Sequence, residues 1–222
     1  MISNHELGRA EQIASDLRRR AISGKLLPGQ RLSEAQLAAE LNISRNTLRE
    51  VFRLLIREGL LNHEPHRGVF VAMPSMATIV DIFRVRRLIE VPAIAQAWPR
   101  HTAVAGMRSA VEAAEACAEE GAWASVGSAN MEFHGAIVAL TDSPRLMTFF
   151  SQLAAELRLA FCMVPCQEEL HSPFLKQNRL ILELVVSGDN EKAAAALNGY
   201  LDQSERRLLE MFAIDKARRD AA

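Results

Sequence analysis

The chain has 222 residues, 49% of them apolar and 24% charged, enough to bury one large core or two small ones. No run approaches the roughly 18 uninterrupted apolar residues of a membrane span, and the opening residues MISNHELGRAEQ lack the apolar core of an export signal. The net charge of −1 says nothing about nucleic acid, but its distribution does: residues 1–75 carry 11 Lys+Arg against 8 Asp+Glu, and residues 76–222 carry 15 against 19.

From Leu7 to about Ser23, Ile13, Leu17 and Ile22 recur at helical spacing and leave Arg18, Arg19 and Arg20 to solvent. Gly24, Pro28 and Gly29 break that helix. Ser33 opens a short second helix, because Ser33 and Gln36 have capping-box spacing and Leu37 and Leu41 form an apolar face. Asn42 and Ile43 make a tight turn, and Ser44 is placed to cap a third helix. Leu48, Phe52, Leu55 and Ile56 line one side of that helix to about Glu58, where Gly59 stops it. Two extended segments, LLNHE and VFVA, follow around PHRG, with Pro65 and Gly68 supplying turn chemistry.

Helix, helix, tight turn, helix, β-hairpin is the order of a winged helix-turn-helix, in which the third helix enters the DNA major groove by its first residues. Arg45, Asn46 and Arg49 occupy the first two turns of that helix, opposite its apolar side. Arginine can donate twice to guanine, and asparagine can pair with adenine. Ser33, Ser44, Thr47 and free backbone N–H groups at helix starts suit phosphate oxygens. Arg67 and Gly68 bring a cation and bare backbone to the wing tip. The segments PGQRLSEAQLA, SRNTLREVFRLL, EGLL and RGVFV stand in the order and spacing of the GntR family of bacterial transcription regulators, and residues 8–73 resemble its DNA-binding domain.

Beyond Pro74 strand signals are almost absent, and helices are expected near 76–97, 102–120, 122–140, 144–164, 173–187 and 190–214. Ser143-Pro144 and Ser172-Pro173 read as cap-then-proline starts, Gly188-Asp189 as a stop followed by a cap, and Pro92 as a kink or a break. Met107, Met131, Met147 and Met163 read as core filler. Cys117, Cys162 and Cys166 are an odd count in no disulfide framework. The last two would lie one helical turn apart, so buried thiols in a reducing cytoplasm are expected.

A mainly α chain, with residues 1–75 as a winged helix-turn-helix and residues 76–222 as an all-α bundle, resembles the FadR subfamily with its FCD effector domain. FRVRRLIE, NMEFHGAIVALTDSPRLM and NRLILELVVSGDNEKAAAALNGYL carry that resemblance. Many FCD domains hold a divalent metal on one Asp and three His, and the matching positions here are Asn130, His134, Asn178 and Tyr200. One imidazole among amides and a phenol is a poor donor set, so no metal cofactor is expected. His171 lies about 10 Å along the helix from Asn178, too far for a simple replacement.

With Arg86, which matches a family arginine, these four residues could hold a small organic acid as effector. A satisfied polar network, or a domain that only dimerises, is the alternative. The resemblance implies a homodimer on a palindromic double-stranded DNA operator, with no membrane partner. An enzyme is disfavoured because phosphate-loop, dinucleotide, nucleophile-elbow and metalloprotease motifs are missing. A protein-binding adaptor is disfavoured by the base-reading residues.

Overall fold

Side-chain caps set the helix starts of the N-terminal region in the computed structural model, which describes residues 4–220. The opening Met1–Ser3 of the sequence lies outside the described residues. Helix α1 spans Asn4–Ile22, strand β1 Arg31–Leu32, α2 Glu34–Glu40, α3 Arg45–Arg57, β2 Leu61–Glu64 and β3 Gly68–Val71. The Ser33 and Ser44 hydroxyls accept from the backbone N–H groups of Gln36 and Thr47 and cap α2 and α3. Asn42 takes a left-handed backbone, φ 50°, in the turn between them, and Gly59 does so at φ 74° where α3 ends.

The hairpin pairs Leu61 with Val71 and Glu64 with Gly68, and β1 adds to its other side in the order β1-β3-β2. Two residues are too few to show alternation, so β1 leaves no strand signal in the sequence. Arg18 is not exposed as expected: it is 3% exposed, and its Nε and Nη2 donate to the Glu58 carboxylate at 2.7 and 3.0 Å. Arg20 is half-buried, bonded to Asp16 and Glu40.

Six helices follow: α4 Met76–Ala95, α5 Ala103–Glu119, α6 Trp123–Ala139, α7 Pro144–Cys162, α8 Gln167–Ser187 and α9 Asn190–Asp220. Helix α4 continues through Pro92 to Ala95, so of the kink or break expected there the break is absent. Helix α8 begins six residues before Pro173, so Ser172-Pro173 is not its start. A proline inside a helix leaves the carbonyl four residues earlier without its N–H. Arg207 on α9 supplies the missing donor, with Nε 2.7 Å from the Glu169 carbonyl. Cys162 ends α7 and Cys166 stands just before α8 without a side-chain cap bond, so they do not share a helix. Cys166 is exposed, and Cys117 and Cys162 are half-buried rather than buried. Met107 and Met131 are core residues, but Met147 is exposed and Met163 half-buried.

The core of the N-terminal region includes Ala14, Leu17, Leu48, Phe52, Leu55, Leu61 and Val71, and also Ala155 and Leu159 of α7. The opposite side of α7 gives Leu157, Ala160 and Phe161 to the bundle core. Ser128 on α6 ties the two parts again by donating to the Ile22 carbonyl at 3.2 Å.

Leu159→Ala should therefore cost about 2–5 kcal/mol and lower the melting of both parts together. Trp123 opens α6 and Trp98 lies in the exposed α4–α5 connection, so both report the bundle side, whereas helical circular dichroism reports the whole chain. A fall in the dichroism midpoint with an unchanged tryptophan midpoint would show that the docking contributes nothing to the bundle.

Candidate nucleic-acid interface and buried polar cluster

The first turns of α3 present Arg45, Asn46 and Arg49 to solvent, while Leu48, Val51, Phe52 and Leu55 on the other side are buried. Arg45 has no ion-pair partner among the described residues. Arg49 Nε is 3.1 Å from a Glu34 carboxylate oxygen, and Arg67 is paired with Glu64 and stacked on the Phe70 ring. Exposed pairs of this kind contribute little, so a phosphate or a base edge can replace the carboxylate. The Ser44 and Thr47 hydroxyls lie 2.8 Å apart, which fixes their oxygens at the helix start.

The wing turns through His66 at φ 63° and Gly68 at φ 107°. Arg31, which the sequence reading did not single out, stands opposite Phe70 on β1, with its guanidinium 3.6 Å from where a Cβ on Gly68 would lie. Its position in PGQRLSE was the available signal.

In the bundle, Arg86, Asn130, His134, Asn178 and Tyr200 are all buried and form one cluster across α4, α6, α8 and α9. Asn130 Oδ1 accepts from Asn178 Nδ2 at 2.7 Å and from the Tyr200 hydroxyl at 2.9 Å, and the His134 and Tyr200 rings are 4.9 Å apart. The sequence reading missed Glu90, one helical turn after Arg86 and wholly buried. Its two oxygens accept from Arg86 Nε at 2.7 Å and His134 Nδ1 at 2.6 Å. Arg86 therefore has a buried counter-ion on its own helix. RRLIE holds the i, i+4 pair, but only the packing of α6 on α4 shows that His134 completes it.

Burial disfavours the Glu90 charge, but Arg86 and then His134 outweigh it and hold its carboxyl below the ordinary carboxylate value. Burial lowers the His134 pKa against the raising effect of Glu90, so the ring is neutral at pH 7. With Nδ1–H donating to Glu90, Nε2 is a bare acceptor. Three atoms of the cluster have no partner among the described residues: the donor Arg86 Nη2 and the acceptors His134 Nε2 and Asn178 Oδ1.

His171 lines a narrow crevice, too small to hold a water, that Asn130 and Asn178 also line. Burial drives its pKa down to about 3, with Arg158 adding to the effect. Gly127 makes room for it, since a Cβ there would be 2.6 Å from His171 Nε2.

These residues are poor donors for a divalent metal. Among the described residues no group of three or more His, Cys, Asp or Glu could hold one. The Asn130 oxygen is already occupied, and burial raises the Tyr200 phenol well above its ordinary pKa.

Residues 9–71 match the family "Bacterial regulatory proteins, gntR family", and residues 81–203 match the FCD domain. The galactonate operon transcriptional repressor of Escherichia coli (strain K12) is 26% identical over 92% of this chain and 99% of its own length. The Nta operon transcriptional regulator of Aminobacter aminovorans is 29% identical over 86% of this chain and 90% of its own. Among solved structures, a GntR transcriptional regulator from Rhodococcus sp. RHA1 is 32% identical, covers 91% of this chain and 98% of that one, and has a TM-score of 0.83. No helix among the described residues is long and apolar enough to cross a membrane. The chain belongs to the GntR family of bacterial transcription regulators, with a winged helix-turn-helix followed by an FCD domain, and it is not an enzyme.

Proposed function

We propose that this regulator binds a palindromic operator as a homodimer in the cytoplasm, and that a small hydroxylated organic acid in the FCD cluster modulates its DNA affinity. The observation that carries the effector reading is the unfilled hydrogen-bonding capacity of a buried site: one donor on Arg86 and acceptors on His134 and Asn178. Buried polar atoms without partners are costly. A carboxylate would accept from Arg86 Nη2 and, once His134 takes up a proton, from its Nε2–H, while a hydroxyl group would donate to Asn178 Oδ1. The E. coli relative is named for a galactonate operon, and galactonate is itself a polyhydroxylated carboxylate. Metal plays no part in this reading.

The ligand shifts the placement of the two winged helices only by the ratio of its affinities for the two arrangements. Arg45, Asn46 and Arg49 read base edges in the major groove. Ser33, Ser44 and Thr47 meet phosphate, and Arg67, Gly68 and Arg31 serve the wing.

Arg45→Ala or Arg49→Ala should cost about 1–3 kcal/mol of operator binding and relax sequence preference, whereas Arg67→Ala should weaken all sequences more evenly. Affinity and preference unchanged in both helix variants would remove α3 from the major groove. One winged helix reads a half-site, so sedimentation should find a dimer at micromolar concentration. A monomer of full operator affinity is the opposing outcome.

Arg86 and Glu90 already cancel, so an anionic ligand brings a net charge into the core unless His134 takes up a proton. Binding then raises the His134 pKa. Affinity is greatest below the free-state value and is lost as pH rises through the bound-state value. Calorimetry with hydroxy acids should show Kd weakening by up to about tenfold per pH unit in that window, and the matching neutral polyols should show no slope. A flat profile for a tightly bound acid would exclude His134 as the compensating group. Arg86→Ala is a poor probe, since it strands Glu90 as an unpaired buried charge at a cost of about 3–5 kcal/mol.

A further inference from the structure

The C-terminal end of α3 rests in a cleft of about 430 Å³, lined on one side by Arg57, Glu58 and Gly59 and on the other by α4 and α7. Glu156 of α7 lies against the α3 terminus: a Cβ on Gly59 would be 3.0 Å from its Oε1. Glu156 is half-buried and has no hydrogen-bond or ion-pair partner among the described residues.

Its charged surroundings are unfavourable to an anion. Asp81 lines the cleft from α4 and Glu58 from the end of α3, while α7 itself adds the neutral Gln152. Arg18 of α1 is committed to Glu58 and Glu11, and Arg57 is the remaining cation of the lining. Glu58 is held in place by Arg18 and by Gln152 Nε2 at 3.3 Å. An ionised Glu156 must therefore sit partly desolvated beside Asp81, and separation of α3 from α7, which opens the cleft to water, relieves the desolvation.

We infer that Glu156 is an acid-sensitive latch, which holds the DNA-binding domain against the bundle when protonated and loosens that docking when ionised. Desolvation first, and then Asp81, raise the Glu156 pKa from 4.5 to about 7. For an acid so shifted, docking is strongest below the ordinary value and weakens as pH rises, until the docked group has ionised above about pH 7. Between pH 6 and pH 8 this linkage changes the docking equilibrium by about tenfold. The latch rests on the chain's reading as a DNA-binding regulator only for its consequence, because docking is measurable without DNA.

Amide hydrogen exchange of residues 57–61 in the full-length protein tests it, with wild type and Glu156→Gln compared at the same pH so that intrinsic exchange cancels. Protection in wild type, relative to Glu156→Gln, should fall about tenfold from pH 6 to pH 8. Asp81→Asn, which leaves Glu156 in place, should reduce that change. Identical pH responses in wild type and Glu156→Gln would overturn the latch. Operator affinity should also acquire a pH dependence that Glu156→Gln lacks. If exchange differs and operator affinity does not, the latch has no role in DNA binding and its regulatory part fails. If exchange differs and no DNA binds at any pH, the DNA-binding reading fails and the latch stands.

Discussion

Helix α7 has two buried sides, and the placement of the reading head depends on it. Ala155 and Leu159 complete the core beneath α1 and α3, and Leu157, Ala160 and Phe161 fill the bundle. A fully buried leucine contributes on the order of 1.5–3 kcal/mol, so two such sides resist separation of the DNA-binding domain by a flexible linker alone. Polar contacts add direction to this apolar seam. Glu58, the residue after α3, meets Arg18 and Gln152, and Ser128 meets the last residue of α1. The orientation of α3 is therefore a property of the bundle as much as of the winged helix.

The buried cluster obeys a second constraint, charge neutrality in a dry core. A guanidinium at 1% exposure without a counter-ion would carry a large desolvation penalty. Glu90 supplies the counter-ion from one turn away on the same helix, and His134 donates to its remaining oxygen. Asn130, Asn178 and Tyr200 then fill the space with groups that carry no charge at neutral pH. The positions that would be metal ligands in a family member thus form a hydrogen-bonded set here. Its unused capacity suits hydroxyl and carboxylate groups better than a metal cation.

Much of this was legible in the sequence wherever local chemistry decides. Ser44, Asn42 and Gly59 mark the cap, turn and stop of α3, and Pro65 to Gly68 mark the wing. Asn130, His134, Asn178 and Tyr200 were found because a family resemblance fixed their positions, and packing brings all four together. What escaped notice depends on partners distant in the chain. Arg18 has the pattern of an exposed residue until Glu58, 40 positions later, is placed beside it. Pro173 mimics a helix start, because the Arg207 side chain that satisfies the vacated carbonyl lies on the next helix. Glu90 was in plain sight in RRLIE, but an i, i+4 Arg–Glu pair has the same spacing on a solvated surface as in a core.

Helix α4 brings these constraints together. Asp81 faces the junction with α3, and Arg86 and Glu90 sit in the polar cluster about 7.5 Å and 13.5 Å further along at 1.5 Å per residue. A ligand that draws on Arg86 acts on a rigid element whose preceding turn bears on Glu156. In the proposed reading, effector and proton therefore bias the same seam from opposite ends of one helical segment. A coupling of about 1–3 kcal/mol suffices for a 5–150-fold change in operator affinity, and that is comparable to the burial of one leucine at the seam. Transmission by this route needs no large rearrangement of the bundle. It needs only that the seam have two arrangements of similar free energy, which the unpartnered Glu156 carboxylate, opposed to the apolar contacts of Ala155 and Leu159, is placed to provide.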